Sequence, residues 1–307
     1  MSDFDVVIIG GGPTGLAAGI YLTRGKFKTM LIEKDNLGGQ ITKVEWIENY
    51  PGFSRGVAGP QLASEMLSQA TYFGLQLDLG EISGLELYSK SRCLQFTDGR
   101  SLTAKAILIA SGCHRMKLGI PGEAEFAGKG VFSCALCDGG EFTGKKVAIC
   151  GGGDSGLTEA LYMAKMASGV VLLEATKTLT ASPILQERAR DNQKIEVHCD
   201  TKVTSVLGNT NVEGIEIEDG ATRKKDIIKT DGLLVDIGMK PNTDFLSTIV
   251  PLDSRGYIVV NEKMETGVPY IYAAGDVRSG SLGQVVTAVN DGAIAAVSIQ
   301  KLLQQEA

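Results

Sequence analysis

FDVVIIGGGPTG, residues 4–15, is the stretch that decides the fold of this chain. Its apolar, β-branched start predicts a buried strand, and three glycines follow at Gly10, Gly12 and Gly15. LAAGIYLTR then predicts a helix, and KTMLIE predicts a second strand that ends at Glu33. This order is the dinucleotide fingerprint, in which glycines let the backbone approach a pyrophosphate at the helix start and the acid accepts hydrogen bonds from a ribose.

A second copy of the pattern lies 141 residues further along the chain, since Gly10 becomes Gly151 and Glu33 becomes Glu174. It reads KKVAICG, a glycine turn, the helix-like LTEALYMAKMA and the strand-like GVVLLEA. One glycine fingerprint is weak evidence because such turns are common, whereas two copies with the acid in register are specific. The second copy predicts a second nucleotide site, with the candidate residues Gly151, Gly153, Asp154, Ser155, Gly156 and Glu174.

Two βαβ units separated by turn-rich β segments predict an α/β fold of two Rossmann-like, three-layer ββα domains. A strand-like run ends at Gly112, a linker follows, and a second linker around Pro241 leads to the strand-like YIYAAGDV and a long helix. These late elements must complete one of the two units, so we predict that the second domain is inserted into the first. The predicted domains are 1–115 with 245–307 and, inserted between them, 116–244.

Composition excludes several classes of protein. The 307 residues carry a net charge of -6, with 36 acidic against 30 basic residues, so the chain shows no basic footprint for nucleic acid or anionic lipid. Glycines and charges interrupt every apolar run before it reaches membrane-spanning length, and MSDFDVVIIGGG does not resemble a signal peptide. We therefore expect a cytoplasmic protein whose six cysteines are mostly free thiols.

The closely spaced cysteines are Cys134 and Cys137, followed at once by Asp138. A short spacing suits a thiol pair that exchanges electrons, and a neighbouring carboxyl can manage the proton if partial burial raises its pKa. The alternatives are a structural disulfide or half of a metal site. A metal site needs about four ligands, and the dipeptides Cys113-His114 and His198-Cys199 lack ligand spacing, so no metal is predicted. Three other cysteines stand in apolar runs and are predicted to be core residues: Cys93, Cys150 and Cys199.

Taken together, the two fingerprints, the CxxCD motif and the late AAGDV segment resemble the low-molecular-weight thioredoxin reductases nearly end to end. The resemblance implies FAD in the domain made from both chain ends. The residues that match family positions around the FAD are Gly10, Gly12, Pro13, Thr14, Gly15, Glu33, Gly39, Gln40, Asn49, Ser111, Gly112, Asp276, Gln284 and Val285. The chain departs from the family at Gly283, where an arginine commonly stands.

The resemblance also implies roles for the cysteine motif. Cys137 would face the flavin and receive its electrons, Cys134 would attack the disulfide of thioredoxin or a similar redox protein, and Asp138 would move the proton. A homodimer is implied as well. The alternatives are a peroxiredoxin or glutaredoxin-like partner, and a flavoprotein that senses redox state without turnover.

The electron donor is predicted from the end of the second fingerprint. NADPH-dependent relatives carry a run of basic residues there, whereas this chain reads Glu174-Ala175-Thr176, with Thr180 further on. A carboxylate at this position binds the ribose 2'-hydroxyl of NADH and repels the 2'-phosphate of NADPH. We therefore expect NADH, or a donor such as ferredoxin or a deazaflavin that does not use this site.

Overall fold

The computed structural model describes residues 2–89, 91–246 and 248–305. The chain divides into two compact units, Met1–His114 with Lys240–Ala307, and Arg115–Met239. These bounds lie one and five residues before the predicted ones. The second difference arises because Met239–Pro241 pairs with Cys113–Arg115 in a two-strand ribbon, so the chain crosses between the units there and not after Thr243.

The elements are numbered in chain order. The α-helices are α1 (Pro13–Arg24), α2 (Gly59–Tyr72), α3 (Ala135–Asp138), α4 (Asp154–Met163), α5 (Pro183–Arg190) and α6 (Val285–Gln305). The strands up to the ribbon are β1 (Phe4–Ile9), β2 (Thr29–Glu33), β3 (Gln76–Leu79), β4 (Ile82–Leu87), β5 (Arg92–Phe96), β6 (Ser101–Ile109) and β7 (Cys113–Arg115). Those that follow are β8 (Val131–Phe132), β9 (Lys146–Cys150), β10 (Gly169–Leu173), β11 (Ile195–His198), β12 (Thr201–Gly208), β13 (Val212–Asp219), β14 (Lys225–Lys229), β15 (Gly232–Val235), β16 (Met239–Pro241) and β17 (Ile271–Ala273).

The sheet of the first unit has the order β3-β2-β1-β6-β5-β4, and β17 pairs with the far end of β6. Strands β3, β2, β1, β6 and β17 run parallel, as expected for βαβ crossovers. Side chains of β1 alternate between the two faces: Val6 and Ile8 pack with the core under α1 and α6, and Val7 and Ile9 pack with the core on the opposite face. Burial on both faces explains why β1 is continuously apolar.

The sheet of the second unit is parallel and has the order β11-β10-β9-β15-β8. On one face, Ile149 of β9 packs with Leu157 of α4. On the other face, Ala148 of the same strand packs with Val203 of the antiparallel sheet β12-β13-β14. Helices, parallel sheet and antiparallel sheet form three layers, which confirms the predicted α/β class with Rossmann-like domains.

Among the residues that the structure describes, none of the helices combines the length and the apolar character needed to cross a membrane.

Candidate active site

The glycine turn after β1 is shaped by contacts that only glycine allows. Gly10 has φ +110°, and a Cβ built there would lie 2.2 Å from the carbonyl oxygen of Ala110. A Cβ on Gly15 would lie 2.0 Å from the carbonyl oxygen of Gly10, so helix α1 starts in direct contact with the turn. Gly12 differs, because a Cβ there would meet no protein atom within 4 Å. The turn therefore leaves open space at the N-terminus of α1, where the helix dipole favours an anionic group.

Glu33 closes this turn from the end of β2. Its Oε2 accepts a hydrogen bond from the Gly11 N–H at 2.6 Å, and its Oε1 accepts from the N–H groups of Lys34 and Asp35, both at 2.9 Å. The carboxylate is thus fixed beside the glycine turn, where a ribose would follow a pyrophosphate.

Glu174 repeats this arrangement in the second unit. Its Oε2 accepts from the Gly152 N–H at 2.6 Å, and its Oε1 accepts from the N–H and the hydroxyl of Thr176, at 2.7 and 2.8 Å. Gly151 has φ +124° and packs against the carbonyl oxygen of Asp236, the residue after β15. Gly10 packs in the same way against the carbonyl oxygen of Ala110, the residue after β6. The two acids are therefore equivalent in geometry as well as in sequence.

Other predicted residues of the second site fall into two groups. Gly156 repeats Gly15, since a Cβ on it would lie 2.0 Å from the carbonyl oxygen of Gly151. Gly153 is as open as Gly12, with only the Thr180 hydroxyl at 3.6 Å. Asp154 and Ser155 are exposed, and Asp154 Oδ1 accepts a hydrogen bond from the N–H of Ser182, which precedes α5. Asp154 therefore holds two helix starts together.

Predicted FAD residues that are far apart in the sequence make hydrogen bonds within the first unit. Asn49 Nδ2 donates to Gln284 Oε1 at 2.8 Å, although the two residues are 235 positions apart. Gln40 Nε2 donates to the Cys113 carbonyl oxygen at 3.1 Å. Val285, after Gln284, begins helix α6. Each of the two hydrogen bonds therefore joins segments of the first unit that are far apart in the chain.

Asp276 and Ser111, two further predicted FAD residues, also belong to the first unit. Burial raises the pKa of the Asp276 carboxyl, against a hydrogen bond of 2.9 Å from the Ser281 hydroxyl. The Ser111 hydroxyl donates to the Asn242 carbonyl oxygen at 2.8 Å, and Gly112 turns the chain with φ +62°. Gly283 also has a positive φ, +66°, a conformation that favours glycine over the arginine common in the family.

Cys134 and Cys137 form a disulfide in the turn that follows β8. We call residues 134–138 the cysteine turn. Cys134 Sγ accepts the Cys137 N–H at 3.1 Å and so caps α3. Cys134 is buried, whereas Cys137 is exposed. Cys137 is therefore the more exposed residue of the pair, although the family resemblance assigns the attack on a partner to Cys134.

Asp138 lies at the end of the cysteine turn and is exposed. A role as acid or base at neutral pH needs partial burial of this carboxyl, and in the structure the residue is exposed. Asp138 is the last residue of the short helix α3, whereas Ala135 in the same turn is part of the buried core. A role for Asp138 as acid or base therefore depends on a partner or a cofactor that covers it.

The remaining cysteines are free thiols. Cys93 and Cys150 are buried as predicted, but Cys199 is only half-buried, because it lies in the turn between β11 and β12 and not inside a strand. Burial raises the pKa of Cys150, and also that of Cys113, to about 12. Within the described ranges, no group of three or more His, Cys, Asp and Glu side chains could hold a metal ion.

Selective alkylation would check these thiol environments. In the reduced protein at pH 8, a thiol of pKa 12 is about 10⁻⁴ thiolate, and the thiolate is the reactive species. We expect iodoacetamide to modify Cys137 at least about 100-fold faster than Cys113 or Cys150, read by peptide mass spectrometry. Urea-unfolded protein is the control, because all six cysteines should then react alike. Rapid modification of Cys113 in the folded protein would contradict the burial argument.

Sequence reasoning missed a buried group next to the cysteine turn. Glu159 of α4 accepts the Ala135 N–H at 2.9 Å through Oε2 and an Arg115 N–H at 2.9 Å through Oε1. The sequence did contain a signal: Glu159 stands among Gly156, Ala160 and Met163 on the apolar side of α4, and a carboxylate on such a side is usually paired with another polar group.

The comparisons with known proteins agree with this geometry. Residues 4–292 match the family of pyridine nucleotide-disulphide oxidoreductases. The chain is 38% identical to the thioredoxin reductase of Bacillus subtilis (strain 168) over 303 residues, which cover 98% of this chain and 95% of that protein. The thioredoxin reductase of Lactococcus lactis superposes with a TM-score of 0.96 at 34% identity, covering 99% of this chain and 100% of that chain. That of T. acidophilum superposes with a TM-score of 0.95 at 33% identity, with the same coverage.

Fold and site thus define a flavoprotein that acts on disulfides, and the chain belongs to the pyridine nucleotide-disulphide oxidoreductase family. Within that family it is an oxidoreductase of the thioredoxin reductase type. The predicted resemblance is confirmed.

Family membership implies FAD, and the residues of the first unit fit it. The space over Gly12 at the start of α1 admits a pyrophosphate, and the fixed carboxylate of Glu33 lies where a ribose follows. Thr14 is buried against Gly275, beside the AAGDV segment. The remaining polar groups, those of Gln40, Asn49 and Asp276, offer donors and acceptors on the same unit.

Two glycine substitutions would separate cofactor space from packing space. Gly12→Ala should leave the free energy of unfolding of the apoprotein unchanged within about 1 kcal/mol, because no protein atom is displaced, but should lower FAD content about tenfold or more. Gly15→Ala should destabilise the apoprotein itself by about 3 kcal/mol, because its Cβ meets the carbonyl oxygen of Gly10. Urea unfolding and flavin absorbance measure the two effects. If Gly12→Ala keeps its full FAD content, the cofactor does not bind at this glycine turn.

Proposed function

We propose that the chain is a flavin-dependent thioredoxin-disulfide reductase that takes electrons from NADH and passes them through FAD and the Cys134–Cys137 disulfide to thioredoxin or a similar small redox protein. The observation that carries the proposal is the Cys134–Cys137 disulfide itself, held in a turn whose second cysteine is an exposed residue. A structural disulfide would tie distant segments together, whereas this one spans three positions of one short turn.

The chain's own residues divide the work as follows. FAD, when bound, relays two electrons from the donor to the disulfide. Reduction by two electrons breaks the bond between Cys134 and Cys137 and, with one proton, leaves a thiol at Cys137 and a thiolate at Cys134. The Cys134 thiolate is stabilised by the N–H of Cys137 and attacks the partner disulfide, and Cys137 then resolves the mixed disulfide. Because Cys134 is buried, this step requires that the cysteine turn become more exposed during turnover.

The proposal for the donor rests on the equivalence of Glu174 and Glu33. Glu174 holds the same hydrogen bond to a glycine N–H as the acid of the FAD site does, so it is placed to accept a ribose hydroxyl. The neighbouring loop offers Ala175, Thr176 and Thr180 where a 2'-phosphate would need cations. Ferredoxin or a deazaflavin is the second candidate donor, because the missing basic residues also agree with a site that binds no nicotinamide.

The proposal also covers the compartment and the oligomeric state of the enzyme. We place the enzyme in the cytoplasm, where a reducing pool keeps thiols free, and we expect it to act as a homodimer, which size-exclusion chromatography with light scattering measures. No nucleic acid or membrane partner is proposed. A peroxiredoxin or a glutaredoxin-like protein remains the alternative substrate, since it presents the same disulfide chemistry.

Anaerobic stopped-flow absorbance of the FAD-loaded protein tests donor and partner in turn. NADH should bleach the flavin, and subsequent addition of oxidised thioredoxin should restore its colour and release thiols that dithionitrobenzoate detects. Rapid bleaching by micromolar NADPH would show that the Glu174 argument is wrong. Bleaching by neither nicotinamide moves ferredoxin or a deazaflavin to first place. If dithionite-reduced enzyme leaves thioredoxin oxidised, the partner is not thioredoxin. A reduced enzyme that transfers no electrons to any of these disulfides supports the sensor alternative instead.

A further inference from the structure

Three largely buried charged side chains lie together in the second unit. Arg115 forms ion pairs with Glu159 at 2.9 Å and with Asp236 at 3.2 Å, measured between side-chain nitrogen and oxygen. The exposed fractions of the three side chains are 21% for Arg115, 12% for Glu159 and 5% for Asp236. We call these residues the carboxylate cluster. Buried charges are costly to desolvate, so such a cluster is uncommon unless its members serve one another or a site.

A hydrogen bond links the carboxylate cluster to the cysteine turn. Glu159 Oε2 accepts the N–H of Ala135, the amide that directly follows Cys134, at 2.9 Å. The same turn is held from inside by the Cys137 N–H on Cys134 Sγ and by the Asp138 N–H on the Cys134 carbonyl oxygen, both at 3.1 Å. Glu159 therefore adds a hydrogen bond to the apolar packing of Ala135 that joins this turn to helix α4, and Arg115 holds its other oxygen.

The charges of the cluster do not balance, since one guanidinium faces two carboxylates. Burial raises the pKa of Glu159 and that of Asp236, and Arg115 opposes both shifts. Among the described side chains, Arg115 Nη1 and Asp236 Oδ2 are buried without a hydrogen bond of good geometry, so their ion pair is the weaker one. Glu159 is the better-held carboxylate, and its negative charge lies beside the backbone of Cys134.

We propose that Glu159 is a positioning residue for the redox pair, which fixes the cysteine turn through the Ala135 amide and, through its charge, sets how readily the disulfide is reduced. The inference rests on the proposed role of the Cys134–Cys137 disulfide. Reduction breaks the sulfur–sulfur bond and takes up two electrons, with two protons if both thiols form and one if Cys134 stays a thiolate. A nearby carboxylate disfavours that thiolate, so Glu159 makes the disulfide harder to reduce than its capping hydrogen bond alone would.

Glu159→Gln tests the inference, because glutamine keeps an oxygen for the Ala135 N–H and removes the charge. The holoprotein is equilibrated with reduced and oxidised dithiothreitol, which supplies the two electrons and two protons, and the thiol content of the pair is read by alkylation and mass spectrometry. We expect the equilibrium constant for reduction to rise at least about tenfold, which is about 30 mV for a two-electron couple. An equilibrium constant for Glu159→Gln that lies within twofold of the wild-type constant would overturn the inference.

Two further variants keep the test specific. Asp236→Asn removes the same charge from the cluster without touching the cysteine turn, and it should change the equilibrium constant by less than threefold. An equal change in both variants would assign the effect to the net charge of the cluster and overturn a special role for Glu159. If Glu159→Gln does not fold, Glu159→Asp keeps the charge and shortens the reach to Ala135. It should retain the wild-type equilibrium constant while thioredoxin turnover falls, and a tenfold shift would overturn the inference.

The outcome also separates this inference from the proposed function. If the wild-type pair does not cycle reversibly in dithiothreitol, the proposed function fails. If it cycles and Glu159→Gln leaves it unchanged, the inference alone fails.

Discussion

Cys137→Ser is expected to lower thioredoxin reduction by on the order of 10³-fold or more while NADH still reduces the bound flavin at a rate within about threefold of wild type. The flavin of the variant can still accept electrons, but without the Cys134–Cys137 disulfide it cannot pass them to thioredoxin. Steady-state turnover with thioredoxin and stopped-flow flavin absorbance measure the two halves separately. Retention of a tenth of wild-type turnover would mean that another group carries the electrons.

Cys134→Ser should lose turnover to the same extent, but the two variants should differ in a trapping experiment. Thioredoxin that carries one active-site cysteine, activated as a mixed disulfide with thionitrobenzoate, should form a covalent heterodimer with Cys137→Ser, because Cys134 remains free to attack. Cys134→Ser should form little of it. The reverse result would assign the exchange role to Cys137, the sulfur that the structure exposes. Cys199→Ser, a half-buried free thiol outside the pair, is the matched control and should keep full turnover.

Glu174→Gln is expected to change the choice of donor. In the wild type we expect NADH to exceed NADPH by about 100-fold in kcat/KM, because like charges at about 4 Å repel by up to about 4 kcal/mol at an effective dielectric of 20. Glutamine removes the repulsion and keeps an acceptor for the Gly152 N–H. The kcat/KM for NADPH should therefore rise about tenfold, and that for NADH should fall about tenfold, because a hydrogen bond to a charged acceptor becomes a neutral one.

Glu33→Gln is the matched control for this experiment, because it makes the same replacement at the same hydrogen bond in the other unit. It should weaken FAD binding and leave the ratio of NADH to NADPH unchanged in protein that is saturated with FAD. A donor ratio that Glu174→Gln leaves within twofold of wild type would show that Glu174 does not contact the nucleotide. Equal shifts in both variants would point to a general loss of structure.

Local rules carried most of the fold prediction. Glycine turns between an apolar strand and a helix are specified by a few neighbouring residues, so the turns at Gly10 and Gly151 and the acids at Glu33 and Glu174 follow from the printed sequence. The second domain boundary was placed five residues late because strand pairing between β7 and β16 joins segments more than 100 positions apart. No short-range pattern reports such a pairing.

The site was less predictable than the fold, for the same reason. Family resemblance, and not spacing, named Asn49 and Gln284 as residues around FAD, and the hydrogen bond between them was not predicted. The carboxylate cluster was missed because Glu159 finds its partner Arg115 at the end of β7, 44 positions earlier, and a lone glutamate in a helix is ordinarily a surface residue. Exposure is a property of the whole fold, so the exposed position of Asp138 could not be read from its neighbours.

The hydrogen bond between Glu174 and Gly152 has a consequence for redesign of the coenzyme preference. The atom that would recognise a ribose also anchors the backbone of the phosphate loop, so recognition and scaffold share one side chain. An exchange of Glu174 for arginine, intended to welcome NADPH, would leave the Gly152 N–H without its acceptor and loosen the loop. A change of coenzyme preference to NADPH therefore needs paired substitutions. A cation is introduced at Thr176 or Thr180, while Glu174, or a glutamine in its place, keeps its hydrogen bond to the Gly152 N–H.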